Sequence, residues 1–273
     1  MVMSDPQLYA YRVGASKPRY DLGTFSRLLL AYFHELEDGG WLQSTLGKDC
    51  TDARVDVGAR VLAEFGRDVW PLSVRLEAQD EMWLFTGIEF YARHVAEPVA
   101  SWIHEWNLCG IHVTQADRIR GALAFRERVN QILANYERPF CLADDGLIYE
   151  QGPDGLSELV PLPSGDSRVD ARVASAVRAF KRYGAAIDAK RHAVRDLADI
   201  LELLRDTGST DLPSKDERYL FDIANNFGIR HLNKKQRLDY DHDVFLEWIF
   251  YAFLAAIRLA TRLQTTDPPG LSD

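Results

Sequence analysis

The chain has 273 residues, with 32 Lys plus Arg against 41 Asp plus Glu and a formal charge of −9. At roughly 100 to 200 residues per domain this is one large or two modest domains, and a chain of this size buries enough surface to fold without disulfides or metal. The composition, 47% hydrophobic and 27% charged, excludes a disordered chain, and the acidic balance argues against non-specific coating of nucleic acid while allowing a local basic face.

Three widely spaced cysteines, Cys50, Cys109 and Cys141, fit a reducing compartment better than a disulfide framework, so the expected location is the cytoplasm. Met1 to Tyr20 has no apolar stretch behind a basic start, as a signal peptide would require, and reads as an arm or loop. From Tyr20 the spacing becomes helical: Phe25, Leu28, Leu29, Tyr32, Phe33 and Leu36 share a face before Gly39-Gly40 ends it. Val55 to Phe65 and Asp80 to Val95 repeat the pattern, and Phe125 to Tyr136 predicts a further helix. Glu97 to Gly121, with Trp102, Trp106 and several Gly or Pro interruptions, reads as irregular structure pinned by aromatic side chains.

Phe140 to Pro163 carries the one convincing β signal, a small hairpin or meander with Asp-Gly turns at Asp145-Gly146 and Asp154-Gly155. Pro161, Pro163 and Gly165 then mark a boundary, giving a helical N-terminal domain over 1–163 and a helical bundle over 164–273. Asp170 to Asp206 is a long amphipathic pattern that Gly184 can divide in two. A short helix is expected from Asp216 to about Asn226, then a polar loop from Arg230 to Asp243. Val244 to Leu263 is apolar and long enough to span a bilayer. Glu247, Arg258 and Arg262 interrupt it, so a buried core helix is expected and no membrane is assigned. The fold class is therefore mainly α. Charge is unevenly divided, for residues 168–242 hold 15 Lys plus Arg against 12 Asp plus Glu.

Several motifs fail on inspection. Gly40 to Lys48 ends in Gly-Lys, but Leu42 and Asp49 stand where a phosphate-binding loop needs a glycine and a hydroxyl. Asp239, Asp241 and Asp243 begin like a calcium loop, but Val244 replaces its turn glycine, so helix capping by Asp241 or Asp243 explains them better. Glu81 and Glu89, two helical turns apart, read as a solvated face rather than an acid-base pair. His104, Cys109 and His112, joined in space by Cys50 or His94, could suit zinc. Their intervals match no established ligand pair, and packed polar residues in an irregular core are expected instead, with no metal and no cofactor. A zinc-dependent function of the N-terminal half stays open as a third option.

The segment Leu220 to Gln236 closes an amphipathic helix and presents Asn225, Asn226, Arg230, His231, Asn233, Lys234, Lys235 and Gln236, followed by Arg237. A histidine can move a proton to or from a ribose hydroxyl near neutral pH, and an arginine can hold the phosphate and its developing charge. This is a kit for metal-independent RNA cleavage. As an alternative, cations at a helix C-terminus simply satisfy the dipole and the last carbonyls.

Asn225-Asn226-Phe227-Gly228-Ile229-Arg230-His231, with Asn233, Gln236, an Asp-Tyr-Asp and the apolar helix after it, resembles the C-terminal domain of bacterial abortive-infection proteins. That domain is related to the HEPN superfamily of all-helical dimers, many of them RNases in phage defence. Tyr20-Asp21-Leu22-Gly23-Thr24-Phe25, Trp70-Pro71, Phe85 to Pro98 and Cys109-Gly110-Ile111-His112 are similar to the region often found ahead of it.

The resemblance implies an HEPN-like bundle and a homodimer whose site forms at the two-fold interface. It implies an RNA substrate, a possible operon-encoded protein partner, and roles for His231 as acid or base, Arg230 as phosphate binder and Asn226 as positioner. The residues Asn225, Asn233, Lys234, Lys235, Gln236 and Arg237 would contact RNA. HEPN RNases use an Arg and a His separated by four to six residues, often written Arg-Asn-x-x-x-His. Here His231 matches the histidine and Asn226 the asparagine, and Asn225 stands where the arginine is expected, while Arg237 and His242, with four residues between them, form an alternative pair. The same departure suits a second possibility, a non-catalytic module that binds a nucleotide, nucleic acid or protein.

Overall fold

The computed structural model describes residues 8–16, 18–48, 50, 55–78, 80–106, 109–152, 163–206, 218–220, 222–223 and 241–266. Among these, ten helices and two small two-stranded sheets make the protein mainly α. The chain forms two compact units, 1–148 and 149–273. The division precedes the proline-rich boundary expected at 163, because Tyr149 makes a backbone bridge to Arg182 and the Gly152 backbone lies against the Tyr251 hydroxyl.

The first unit contains α1 (Tyr9–Arg12), α2 (Leu22–Asp38), α3 (Gln43–Leu46), α4 (Val57–Phe65), α5 (Leu72–Arg75), α6 (Glu81–His94) and α7 (Arg118–Leu133). Aspartates open four of these helices. Asp21, Asp56, Asp80 and Asp117 accept hydrogen bonds from the backbone N–H groups of Thr24, Ala59, Trp83 and Arg120. The spacing Phe25, Leu29, Tyr32, Phe33, Leu36 buries one face of α2, as the sequence expects. Phe33 stacks on Tyr91 of α6 with ring centroids 4.0 Å apart, and the Tyr91 hydroxyl donates to Glu37 Oε1 at 2.6 Å. Phe125 of α7 closes the layer against Tyr32 and Tyr91.

The segment expected to be irregular is instead an antiparallel ribbon, β1 (Glu97–His104) with β2 (Gly110–Asp117). Its register pairs Trp102 with His112 and His104 with Gly110. The ribbon is seated by a close approach: a Cβ at Gly121 of α7 would meet Glu97 N at 2.5 Å and Ala96 Cα at 2.6 Å. Only glycine lets this helix lie on the strand backbone. The expected hairpin is present as β3 (Phe140–Leu142) and β4 (Ile148–Glu150), with Gly146 at a positive φ of 78° in the turn. The second Asp-Gly turn lies outside the described residues.

The second unit is built on α8 (Ser167–Lys181), α9 (Ile187–Asp206) and α10 (His242–Thr266). Gly184, at φ 68°, divides α8 from α9 where the sequence allows a break. Val173, Phe180, Val194, Leu197, Leu201, Leu246, Phe250, Phe253 and Ile257 form one buried cluster, with Phe180 stacked on Phe250 at 4.0 Å. The helix α10 is apolar and long enough to cross a membrane, yet over half of that window is buried within the protein. The Asp241 carboxylate accepts from Asp243 N and Val244 N, which makes it the cap of α10, as the sequence expects.

Candidate metal centre

The β1–β2 ladder places alternate residues on one face. Trp102 and His104 on β1 and Gly110 and His112 on β2 share that face, and Cys109 enters it from the connection between the strands. Gly110, at φ 80°, turns the backbone from Cys109 into β2. Cys50 arrives from elsewhere, on the segment between α3 and α4.

These four side chains converge. One ligand atom from each of Cys50, His104, Cys109 and His112 lies within 4.8 Å of all the others, and all four residues are half-buried. His104 Nδ1 is 3.3 Å from His112 Nε2, Cys109 Sγ is 3.1 Å from His112 Nε2, and Cys50 Sγ is 3.7 Å from His104 Nδ1. A tetrahedral zinc with Zn–N of about 2.0–2.1 Å and Zn–S of about 2.3 Å has edges of about 3.3 Å between nitrogens and about 3.6 Å between sulfur and nitrogen. The N···N edge and one S···N edge match closely, and the Cys109–His112 edge is somewhat shorter. Trp102 covers the pair, its ring 4.8 Å from that of His112 and 5.2 Å from that of His104.

The scaffold around the ligands is specific. The Gln43 carboxamide of α3 grips the outer edge of β2 on both sides of His112, donating to Ile111 O and accepting from Val113 N, each at 2.9 Å. This side chain replaces a neighbouring strand and fixes the backbone that carries His112. Thr45 donates to His94 O at 2.8 Å and Arg60 to Leu46 O at 2.7 Å, which holds the end of α3 from which the chain runs to Cys50.

His94, named beside Cys50 as a possible fourth ligand, is elsewhere, with Nε2 2.6 Å from Glu64. Cys141 is not part of the cluster. Glu81 and Glu89 do not form a pair: Glu81 accepts from the Tyr136 hydroxyl and from Arg138, and Glu89 accepts from Ile148 N at 3.0 Å. Both act as braces within the fold. The sequence-derived RNA site, Asn225, Asn226, Arg230, His231, Asn233, Lys234, Lys235, Gln236 and Arg237, lies outside the described residues.

Gln43, Trp102 and the membership of Cys50 are not apparent from intervals along the chain, since Cys50 is 54 residues from His104. The detectable signal is the period of two in Trp102-x-His104 and Gly110-x-His112, which predicts a shared strand face. No family model, curated protein or solved structure matches the chain.

Proposed function

We propose that the N-terminal unit binds one zinc ion through Cys50 Sγ, Cys109 Sγ, His104 Nδ1 and His112 Nε2. The observation that carries this is the convergence of two thiols and two imidazoles, from separate segments, at distances suited to a tetrahedral shell. Mixed sulfur and nitrogen donors in that geometry favour zinc over calcium or magnesium, which prefer oxygen. Four protein ligands leave no open position, so the metal is structural: it ties the β1–β2 ribbon to the segment after α3. Elemental analysis of protein expressed with added zinc should give one zinc per chain, and cobalt substitution should give a tetrahedral thiolate spectrum. Protein that takes up no metal and melts unchanged in EDTA would sink the proposal.

A second role concerns the C-terminal unit. We propose an abortive-infection type, phage-defence activity there: metal-independent RNA cleavage at a homodimer interface, with His231 as acid or base, Arg230 as phosphate binder and Asn226 as positioner. It is supported by the Asn225–His231 segment, its similarity to HEPN-type domains, and the locally basic stretch from 168 to 242. The measurement is RNA cleavage in EDTA by the wild type and by His231→Ala. Intact RNA with the wild type would leave the non-catalytic binding module, and Asn225→Arg then distinguishes a degenerate site that regains cleavage from one that does not.

A further inference from the structure

We infer that the first unit has a separate small-molecule site, a cavity between α6, α7 and the β3–β4 turn that takes a nucleoside monophosphate. The cavity is about 430 Å³, within the range of small-ligand sites. Its walls are clamped by side-chain to backbone hydrogen bonds. Arg118 on α7 donates to Arg93 O at the end of α6 at 2.8 Å. Asn130 on α7 grips Leu142 of β3 at both its carbonyl and its N–H. Glu89 on α6 accepts from Ile148 N. Three clamps hold three walls at set separations, so the space between them is preformed.

The lining has two kinds of surface. Ala92, Ile119, Ala122 and Leu123 supply the accessible apolar part of the lining, over the buried Phe125 and Leu142, and offer a surface for a planar base. Arg118 and Arg126 line the same space from two turns of α7 and, among the described residues, neither forms an ion pair with a carboxylate. The third arginine, Arg93, is paired with Glu64 at 3.1 Å. In a chain of charge −9, two guanidiniums without carboxylate partners at one cavity call for an anion. The β3–β4 turn adds Asp144 and Asp145 to the same lining. Asp145 caps its own turn through Leu147 N, and Asp144 is exposed, available to ribose hydroxyls or an exocyclic amine. An anionic group, a planar apolar body and hydrogen-bond donors on one molecule describe a nucleoside monophosphate.

The site shares no ligand residue with the metal cluster and does not rest on it. Titration calorimetry of the full, zinc-supplemented chain with the four ribonucleoside 5′-monophosphates, the matching nucleosides and inorganic phosphate tests it. At least one nucleotide should bind, with its nucleoside and free phosphate each about tenfold weaker or worse. Arg126→Gln should weaken that nucleotide by about tenfold or more, while Arg120→Gln, on the same helix but outside the cavity, should not. Zinc content, measured on every variant, separates failure here from failure of the metal proposal. The inference is overturned if no nucleotide binds, if phosphate or nucleoside alone binds equally well, if Arg126→Gln binds like the wild type, or if binding is lost in His231→Ala instead.

Discussion

His104 and His112 meet across the β1–β2 ladder with Nδ1 and Nε2 3.3 Å apart and their rings 79° from parallel. Three of the four clustered side chains come from this ribbon and its connection, whereas Cys50 joins from far back in the chain, so the proposed zinc would close a long loop as well as a short one. Binding that occurs only in the folded state stabilises by mass action, by about 2.7 kcal/mol at free zinc a hundredfold above Kd, or roughly 5–10 °C in Tm for a unit of this size. We expect EDTA to lower Tm by that order in the wild type. In Cys50→Ala and Cys109→Ala the EDTA sensitivity should vanish, with zinc content by elemental analysis falling alongside, while Cys141→Ala should behave as the wild type.

Gln43 hydrogen-bonds not to the side chains of the cluster but to the backbone on both sides of His112. Residues that orient metal ligands are worth about 10–100-fold in affinity when removed. Gln43→Ala should therefore weaken zinc binding by about that factor in competition with a chromophoric chelator. The bared Ile111 carbonyl and Val113 N–H should add a stability loss of roughly 1–3 kcal/mol in the zinc-free protein, read by urea unfolding. An unchanged affinity with lowered stability would make Gln43 an edge cap alone.

The helical parts of the fold were legible because their information is local. The apolar stripe of α2, the glycine break between α8 and α9 and the capping role of Asp241 each follow from residues a few positions apart. The ribbon was not legible. The middle of β1, from Val99 to Ile103, is exposed on both faces, so it carries no alternation of apolar and polar residues. It is held by backbone pairing, by Gly121 and by Gln43, all of which act through tertiary contact. The same reason hid the ligand set. Cys50 and His94 are equivalent candidates along the sequence, and only the folded chain sends one to the cluster and the other to Glu64.

Gly121 provides a test of that tertiary origin. On helix propensity alone, Gly121→Ala should stabilise α7 by up to about 1 kcal/mol. The added Cβ, however, would lie 2.5 Å from Glu97 N and 2.6 Å from Ala96 Cα, both backbone atoms that cannot rotate away. Overpacking of this kind costs about 1–3 kcal/mol, so the substitution should destabilise despite its propensity. Because it displaces the start of β1, zinc affinity should fall with it. A melting temperature at or above the wild type would show that the ribbon can shift without cost.

Alkaline pH provides a last test, on the packing of the first unit. Burial pushes the Tyr32 phenol up to about 12, against the pull of the nearby Arg128 guanidinium and with a further push from Glu35. Burial, with Glu37 beside the hydroxyl, pushes Tyr91 well above its ordinary value. An unfolded tyrosine ionises near 10.0, so the folded state holds these protons more tightly than the unfolded one. The corresponding stability is fully present below pH 10.0 and is lost as pH rises towards about 12. Urea unfolding followed across that window should show stability falling with pH, and Tyr32→Phe, which removes one such phenol while keeping its ring against Phe125, should make the fall shallower. An equal slope in the wild type and Tyr32→Phe would mean that Tyr32 ionises without unfolding cost and that its hydroxyl is reached by solvent.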